Sequence, residues 1–287
     1  MDLTIITVPW NVKDLVRDNL KAIYQNTKNI SFEVFAVDNQ SADGTAEMIV
    51  KEFPQVNLIA NNYNAGFAKA NNQAIAMSKG RYVLLLNPDM RVKEGTLEGM
   101  VKWMDAHLEA GVAGCRLMKE NGDIVPHVRR YPSVWDQLAI VLKLPHLFPS
   151  ILNSYLYKDF DYKQEAEVDS IRGSFFMIRR ELLDKIGGLD ELYFIWFEEV
   201  DYCRRARLAG FKVMYTPVVD CIDYVGKSFA QLPRGKAQGY FQDSMLKYFK
   251  KWEPIWQYSL LSVAWPIGKF ALKIGELIKF KRKEGAN

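Results

Sequence analysis

Carboxylates stand directly after two apolar runs in the first third of the chain. Asp38 follows the run over residues 32–37, within VDNQSADGT, and Asp89 follows the run over residues 84–86, within LLLNPD. A carboxylate at a strand end, such as that of Asp38, can accept hydrogen bonds from a nucleobase or a ribose. Asp89 suits Mg²⁺ or Mn²⁺, because these ions take one or two protein carboxylates and complete their shells with phosphates and water. The alternative at both positions is ordinary turn chemistry.

Three acids follow a run of aromatic residues in the segment FIWFEEVDYCRR. Glu198, Glu199 and Asp201 are the acids, and residues 194–197 are the aromatic run. Aromatic surroundings lower the local dielectric and raise the pKa of a carboxyl group, which prepares a general base for an acceptor hydroxyl. The alternative is that acids favour the first turn of a helix, with Asp201 paired to a following arginine. We expect that alternative to account for one or two of the three acids.

Asparagine is unusually dense between residues 61 and 72, where a helix is expected to begin. Because asparagine is a poor former of helix interiors, several of these amides are expected to face a polar ligand, Asn64 and Asn71 among them. Capping of the helix by Asn64 is the alternative.

Short apolar runs alternate with helix-period segments through the first half of the chain. The runs at 3–8, 32–37, 56–60 and 82–86 are typical of strands, and the segments between them of helices. This order predicts an α/β fold with a mostly parallel sheet covered on both faces, whose ligands bind at the carboxyl ends of the strands.

The second half is less regular. Residues 131–161 are aromatic and proline-rich, and we assign them no secondary structure beyond an excursion over the sheet. A strand at 174–178 and a helix from about Glu199 to Gly210 follow.

The C-terminal stretch over residues 255–283 carries apolar, aromatic and basic residues at helical spacing. Lys269 and Lys273 interrupt it, so an amphipathic helix lying in a membrane surface is preferred to a spanning helix. A helix docked on the protein's own core is the alternative.

The composition of the chain bears on its partners and on its cellular compartment. The chain has 38 basic and 34 acidic residues and a net charge of +4, too mild an excess to indicate a nucleic-acid partner. Its three cysteines have neither disulfide nor zinc spacing, which together with the lack of a signal-peptide pattern favours a reducing cytoplasm.

Five blocks in this order resemble the inverting family-2 glycosyltransferases of GT-A fold, especially their rhamnosyltransferase-like branch. The blocks are VDNQSADGT, NAGFAKANN, LLLNPD, GSFFMIRR with IGGLDE, and FEEVDYCRRARLAG. The resemblance implies a Rossmann-like GT-A domain over residues 1–230, divided into a nucleotide-sugar-binding part (1–116) and an acceptor-side part (117–230). A helical, possibly membrane-associated segment (231–287) would follow.

The same resemblance assigns roles to residues. Glu199 would be the catalytic base, with Glu198 or Asp201 able to share the role, and Asp89 with Asp223 would hold the divalent metal. The remaining positions would bind a nucleoside-diphosphate sugar, commonly a deoxythymidine- or uridine-linked one: Val8, Asn11, Asp38, Asn39, Asn64, Phe67, Asn71, Asn87, Gly173 and Asp190.

The predicted function is transfer of rhamnose or a similar hexose, with inversion, to a glycan or lipid-linked acceptor in bacterial surface polysaccharide synthesis. The enzyme would be cytoplasmic and peripheral on the inner face of the plasma membrane. Acceptor choice is expected to lie in residues 117–169 and the C-terminal segment.

Departures from the family pattern leave a second hypothesis open. The family usually has aspartate where Glu199 stands and histidine where Asp223 stands, and residues 7–11 replace a commoner Ser-Tyr-Asn. An extra methylene displaces a carboxylate, and a misplacement of about 1 Å can cost about 10²-fold in rate. A sugar-nucleotide-binding scaffold without turnover is therefore the alternative. A dinucleotide-dependent oxidoreductase is disfavoured, because residues 8–11 do not supply the GxGxxG turn.

Overall fold

The computed structural model describes residues 1–224, 226 and 232–266. In this part of the chain the strands are β1 (Leu3–Thr7), β2 (Phe32–Asp38), β3 (Asn57–Ala60), β4 (Tyr82–Leu86), β5 (Met90–Val92), β6 (Ala110–Met118), β7 (Val128–Arg129), β8 (Ala166–Glu167), β9 (Ser170–Ile171), β10 (Phe175–Arg179) and β11 (Lys212–Asp223). The α-helices with both ends described are α1 (Lys13–Asn26), α2 (Thr45–Glu52), α3 (Phe67–Ile75), α4 (Thr96–Ala106), α5 (Val134–Val141), α6 (Arg180–Ile186), α7 (Glu198–Leu208) and α8 (Arg234–Trp252).

Nine of these strands form one large sheet in the order β3-β2-β1-β4-β10-β6-β11-β5, with β8 on β11, and β7 pairs with β9 in a separate ribbon. Strands β3, β2, β1 and β4 are mutually parallel, and so are β6 and β11. The predicted α/β fold with a mostly parallel sheet flanked by helices is confirmed. Strand β10 adds a feature that its periodicity could not show, because it inserts antiparallel between β4 and β6.

The sheet is buried on both faces, which explains why its strands are continuous apolar runs rather than alternating ones. In β4, Leu84 and Leu86 pack with helices α1, α2 and α4, whereas Val83 and Leu85 pack with α3, α6 and α7. Neighbouring residues of a strand point to opposite faces, so one run of leucines serves both layers.

A third apolar cluster lies beyond the sheet and carries the aromatic segment ahead of α7. Phe197 packs there with residues of α5 and α8 and of the helical stretch 255–266. Helix α5 lies in the stretch left unassigned above and begins with a capping box between Ser133 and Asp136. The cluster therefore joins the excursion and the C-terminal segment to the start of α7.

The helical stretch 255–266 has one buried and one exposed side. Leu261 and Trp265 are buried in the third cluster, as the docked-helix alternative requires, whereas Trp256 and Val263 are exposed. The rest of the predicted amphipathic helix, residues 267–283, lies outside the described residues. Among the helices that the structure describes, none is long and apolar enough to cross a bilayer.

Candidate active site

The carboxyl ends of β1, β2 and β4 meet at one edge of the sheet and open into a cavity of about 260 Å³. We call it the first cavity. The predicted donor-binding residues that line it are Val8, Asn39, Asn64, Phe67 and Asn87. The structure therefore brings together residues from four separate sequence segments, as expected for a ligand site of a parallel sheet.

The asparagine-rich segment is ordered by its own amides. The side chain of Asn39 donates to the carbonyl of Gly66 at 3.1 Å, and its Oδ1 accepts from Asn61 Nδ2 at 3.0 Å. Asn64 Oδ1 accepts from the backbone N–H of Gly66 at 3.0 Å, so Asn64 both shapes the turn before α3 and lines the cavity. Asn71 instead donates to the carbonyl of Phe67 within α3 at 2.9 Å and does not line the first cavity.

Asp38 lies at the end of β2, directly before the cavity-lining Asn39, and is only 3% exposed. Its Oδ2 accepts from the backbone N–H of Ser41 at 2.9 Å. Within the described residues, Oδ1 is buried without a hydrogen-bond partner. A buried carboxylate oxygen left without a donor is costly, so Asp38 is a candidate to receive one from a ligand.

A second cavity of about 210 Å³ adjoins the first, because Phe67, Asn87 and Ile195 line both. Its wall contains Glu198 and Glu199 at the start of α7. Gly173 also lines it: a Cβ at this glycine would lie 3.6 Å from the Phe67 ring and 3.8 Å from Glu199 Cβ. The predicted base and the predicted donor-binding residues thus share one cleft with two compartments.

The backbone ahead of α7 is bent by two consecutive residues in the left-handed region. Trp196 has φ +64° and Phe197 φ +68°. Such a conformation costs an L-residue roughly 1–2 kcal/mol, and it is held here because Phe197 is buried in the third cluster and Ile195 O accepts from Ser244 Oγ at 2.8 Å. This bend directs the first turn of α7 at the second cavity.

Burial changes the acidity of both glutamates. Loss of hydration raises the pKa of Glu198 well above its usual range, and the neighbouring Glu199 charge raises it further. Burial also raises the pKa of Glu199, but the positive charges of Arg172 and Arg129 oppose that rise. Of the two carboxyl groups, Glu199 is therefore the more readily ionised.

Asp201, the third predicted catalytic acid, is not brought to either cavity. Its carboxylate is fully buried and accepts from Arg205 Nε at 2.8 Å and Trp252 Nε1 at 2.7 Å, with Lys251 Nζ also at 2.7 Å. Asp201 is therefore the ion-pair partner of Arg205 within α7, as the alternative interpretation of this acid predicted. Through Lys251 and Trp252, Asp201 also links α7 to α8.

The two predicted metal ligands are neighbours at the end of β5. Asp223 pairs with Met90 in the β5–β11 ladder, and the carbonyl of Asp89 accepts from the backbone N–H of Tyr224. Both aspartates are nearly fully buried, and Asp223 Oδ2 also lies 3.2 Å from Arg172 Nη1. Among the described residues no three His, Cys, Asp or Glu side chains converge as a metal cage. One or two carboxylates still fit an Mg²⁺ or Mn²⁺ ion that takes its other ligands from a diphosphate and water.

Like Asp38 and Asn71, the predicted donor-binding residues Asn11 and Asp190 line neither cavity. Asn11 Oδ1 accepts from the backbone N–H of Ala42, which ties the loop after β1 to the loop after β2. Asp190 is bound by Lys251 at 2.7 Å and supports the contact between α8 and the segment before α7.

The amino-acid sequence matches the family described as Glycosyl transferase family 2 over residues 4–187. The chain belongs to this family. Among curated relatives, an N-acetylglucosaminyl-diphospho-decaprenol L-rhamnosyltransferase of Mycobacterium tuberculosis is 26% identical over 212 residues, which cover 70% of this chain and 69% of the relative. The rhamnosyltransferase WbbL of Escherichia coli is 25% identical over 77% of this chain and 82% of its own.

Solved structures confirm the GT-A fold. The mannosyltransferase PcManGT of Pyrobaculum calidifontis, solved with GDP-Man and Mn²⁺, superposes with a TM-score of 0.57 at 19% identity, covering 96% of this chain and 75% of that one. Staphylococcus aureus TarS, residues 1–349, gives a TM-score of 0.54 at 17% identity, covering 87% of this chain and 72% of that one. The family match and the curated relatives confirm the predicted class, a glycosyltransferase.

The structure also adds residues that sequence reasoning missed in this glycosyltransferase. Trp10, Phe194, Lys236 and Tyr240 line the first cavity. Phe194 stacks on Tyr240 with ring centroids 4.4 Å apart, which sets the start of α8 over the cavity. Helix α8 is distant in sequence from every motif used above, so no local signal could have indicated it.

Two arginines that sequence reasoning also missed line the second cavity. Arg129 and Arg172 line it together with Tyr155. Arg172 directly precedes the predicted Gly173, and that adjacency was a usable signal, whereas Arg129 and Tyr155 come from stretches with no assigned element.

Proposed function

We propose that this protein is an inverting, metal-dependent hexosyltransferase. It transfers rhamnose or a similar sugar from a nucleoside diphosphate to a glycan or lipid-linked acceptor of bacterial surface polysaccharide. The observation that carries this proposal is the half-buried Glu199 carboxylate, whose pKa is raised by desolvation and which lines a cavity that adjoins the predicted nucleotide cavity. The rhamnosyltransferases named above, one of them acting on a diphospho-decaprenol, support the substrate class.

Each of the two cavities would hold one of the two substrates. The first is lined largely by residues of the predicted nucleotide-sugar part, 1–116, and would hold the donor; Lys236 at its rim places a positive charge near the phosphates. The second is lined largely by residues of the acceptor-side part, 117–230, and would hold the acceptor.

The reaction would be a single in-line displacement. Glu199 takes the proton of the acceptor hydroxyl as its oxygen bonds to the anomeric carbon, and the bond from that carbon to the diphosphate breaks. The configuration inverts, and the nucleoside diphosphate leaves with the bonding electrons. A divalent ion held by Asp89, beside Asp223, would supply positive charge for the departing diphosphate.

Membrane attachment belongs to the same proposal. The exposed Trp256 and Val263 lie opposite the buried side of the stretch 255–266, and the sequence continues into the basic residues 279–283. An aromatic and basic surface of this kind binds anionic lipid. We therefore place the enzyme in the cytoplasm, peripheral on the inner face of the plasma membrane.

The proposed membrane attachment can be tested with substitutions that leave the buried core unchanged. Changing both Trp256 and Val263 to serine leaves the buried Leu261 and Trp265 in place. Recovery of this variant with phosphatidylglycerol vesicles should fall, and unchanged recovery would remove the membrane from the proposal.

The catalytic proposal is tested by titrating a panel of nucleoside-diphosphate sugars with Mg²⁺, with Mn²⁺ and with chelator, and by following donor hydrolysis. Metal-dependent binding of one donor with slow hydrolysis is expected. Binding without any turnover would favour the scaffold hypothesis, and no binding to any donor would refute a transferase role.

A further inference from the structure

A short antiparallel ribbon, β7 with β9, forms one wall of the second cavity. Arg129 pairs with Ser170 in this ribbon, and the backbone N–H of Arg172 donates to the carbonyl of His127 at 3.1 Å. Arg172 lies two residues beyond Ser170, so both arginines project from the same face of the ribbon. That face lines the cavity that contains Glu199.

The two arginines differ in their partners. Arg172 is neutralised by Asp223 at 3.2 Å. Arg129 donates only to backbone carbonyls, to Val128 O at 2.7 Å and to Pro126 O at 3.4 Å. In the part of the chain that the structure describes, no carboxylate forms an ion pair with Arg129.

A half-buried guanidinium without a counter-charge costs free energy of desolvation unless a ligand supplies the counter-charge. The nearby Arg172 charge adds repulsion, and together with burial it lowers the pKa of Arg129. Guanidinium groups bind phosphate and carboxylate through a rigid fork of N–H donors. The wall is therefore suited to an anion.

The position of the wall indicates which substrate carries that anion. Under the proposed function the diphosphate of the donor would have its own positive groups, Lys236 at the first cavity and a divalent ion that Asp89 would hold. Arg129 lies instead in the cavity with Glu199, which under the proposed function receives the acceptor hydroxyl.

We propose that Arg129, with Arg172 beside it, binds an anionic group of the acceptor, a phosphate or a carboxylate, close to the hydroxyl that Glu199 deprotonates. The inference rests on the proposed function for the identity of the bound molecule. It makes Arg129 a determinant of acceptor specificity: sugars carried on a diphosphate, or sugars with an acidic group, are preferred to neutral ones.

The test is a crossed binding experiment on the full chain. The probes are octyl diphosphate and octyl glucuronide, titrated by calorimetry in chelator so that no metal at Asp89 recruits phosphate. The variants are Arg129→Gln, the neighbouring exposed Arg130→Gln as a matched control for charge, and Lys236→Gln as the control for the first cavity.

We expect Arg129→Gln to weaken binding of one or both probes by about 10- to 100-fold, the loss of a charge-assisted hydrogen bond. Arg130→Gln should stay within about twofold of the unmodified chain, because an exposed charge contributes little. Lys236→Gln should do the same, because Lys236 lines the first cavity and not the one that contains Arg129. Loss with octyl diphosphate assigns the site to a phosphate-linked acceptor, and loss with octyl glucuronide alone assigns it to an acidic sugar.

The inference is overturned if neither probe binds, if Arg129→Gln binds as well as Arg130→Gln, or if Lys236→Gln loses as much as Arg129→Gln. A parallel titration with nucleoside-diphosphate sugars and Mn²⁺ tests the proposed function by itself. Because the probe titrations contain neither donor nor metal, the two failures are distinguishable.

Discussion

The acids of α7 provide the sharpest prediction, because the structure places Glu199 and Asp201 in opposite environments within one helical turn. Glu199 lies half-buried at the cavity with its charge disfavoured, whereas Asp201 is fully buried with its charge bound by Arg205, Lys251 and Trp252. We expect Glu199→Gln to abolish transfer without lowering stability, and Asp201→Asn to lower stability.

The magnitudes follow from the contacts. Removing one partner of a buried ion pair costs about 3–5 kcal/mol, and the lower end applies to Asp201 because Lys251 keeps Asp190 as a partner. A loss of about 3 kcal/mol lowers the melting temperature of a domain of this size by roughly 6 °C. Loss of the general base in Glu199→Gln should reduce kcat by about 10²- to 10⁴-fold.

The assay pairs thermal unfolding with initial rates of donor hydrolysis or transfer. Asp190→Asn is the control, because it removes a partly exposed partner of the same lysine and should shift the melting temperature by less. Full activity in Glu199→Gln, or an unchanged melting temperature in Asp201→Asn, would refute these assignments.

Three further outcomes are expected. Glu198→Gln should raise the melting temperature at pH 7.5 and not at pH 4: the folded pKa of Glu198 is raised, so its stabilising contribution is present below the ordinary value of about 4.5 and lost as pH rises. Unfolding scans at both pH values check this. Asp89→Asn should abolish the Mn²⁺ dependence of donor binding, measured by titration with and without chelator. Gly66→Ala should weaken donor binding, since its φ is +80° and a Cβ there would meet the carbonyl oxygen of Phe194 at 2.5 Å; the melting temperature of the same variant shows how much of the loss is folding.

The sequence was sufficient for the parallel half of the sheet, because strands buried on both faces leave uninterrupted apolar runs such as Leu84–Leu86. The two-residue strands β7 and β9 leave no periodicity, and the direction of β10 depends on partners that lie far away along the chain. For those elements local patterning carried no information.

The residues of the site show the same difference between positions with a local sequence signal and positions that depend on distant partners. The strand-end residues Asn39 and Asn87 could be predicted, since the carboxyl ends of neighbouring parallel strands must meet. Asp201 could not be separated from Glu199 by sequence, because its partners Lys251 and Trp252 lie about 50 residues later and reach it only through the packing of α8.

The wall shared by the two cavities has an evolutionary consequence. Substitutions at Phe67, Asn87 or Ile195 alter both compartments at once, so under the proposed function they would affect both substrates together. Of the two compartments, Trp10 lines only the first and Arg129 only the second. Under that function, a lineage of such enzymes would be free to exchange acceptors through the ribbon wall while retaining its sugar nucleotide. Any residue of the common wall would have to satisfy two substrates and would be slower to change.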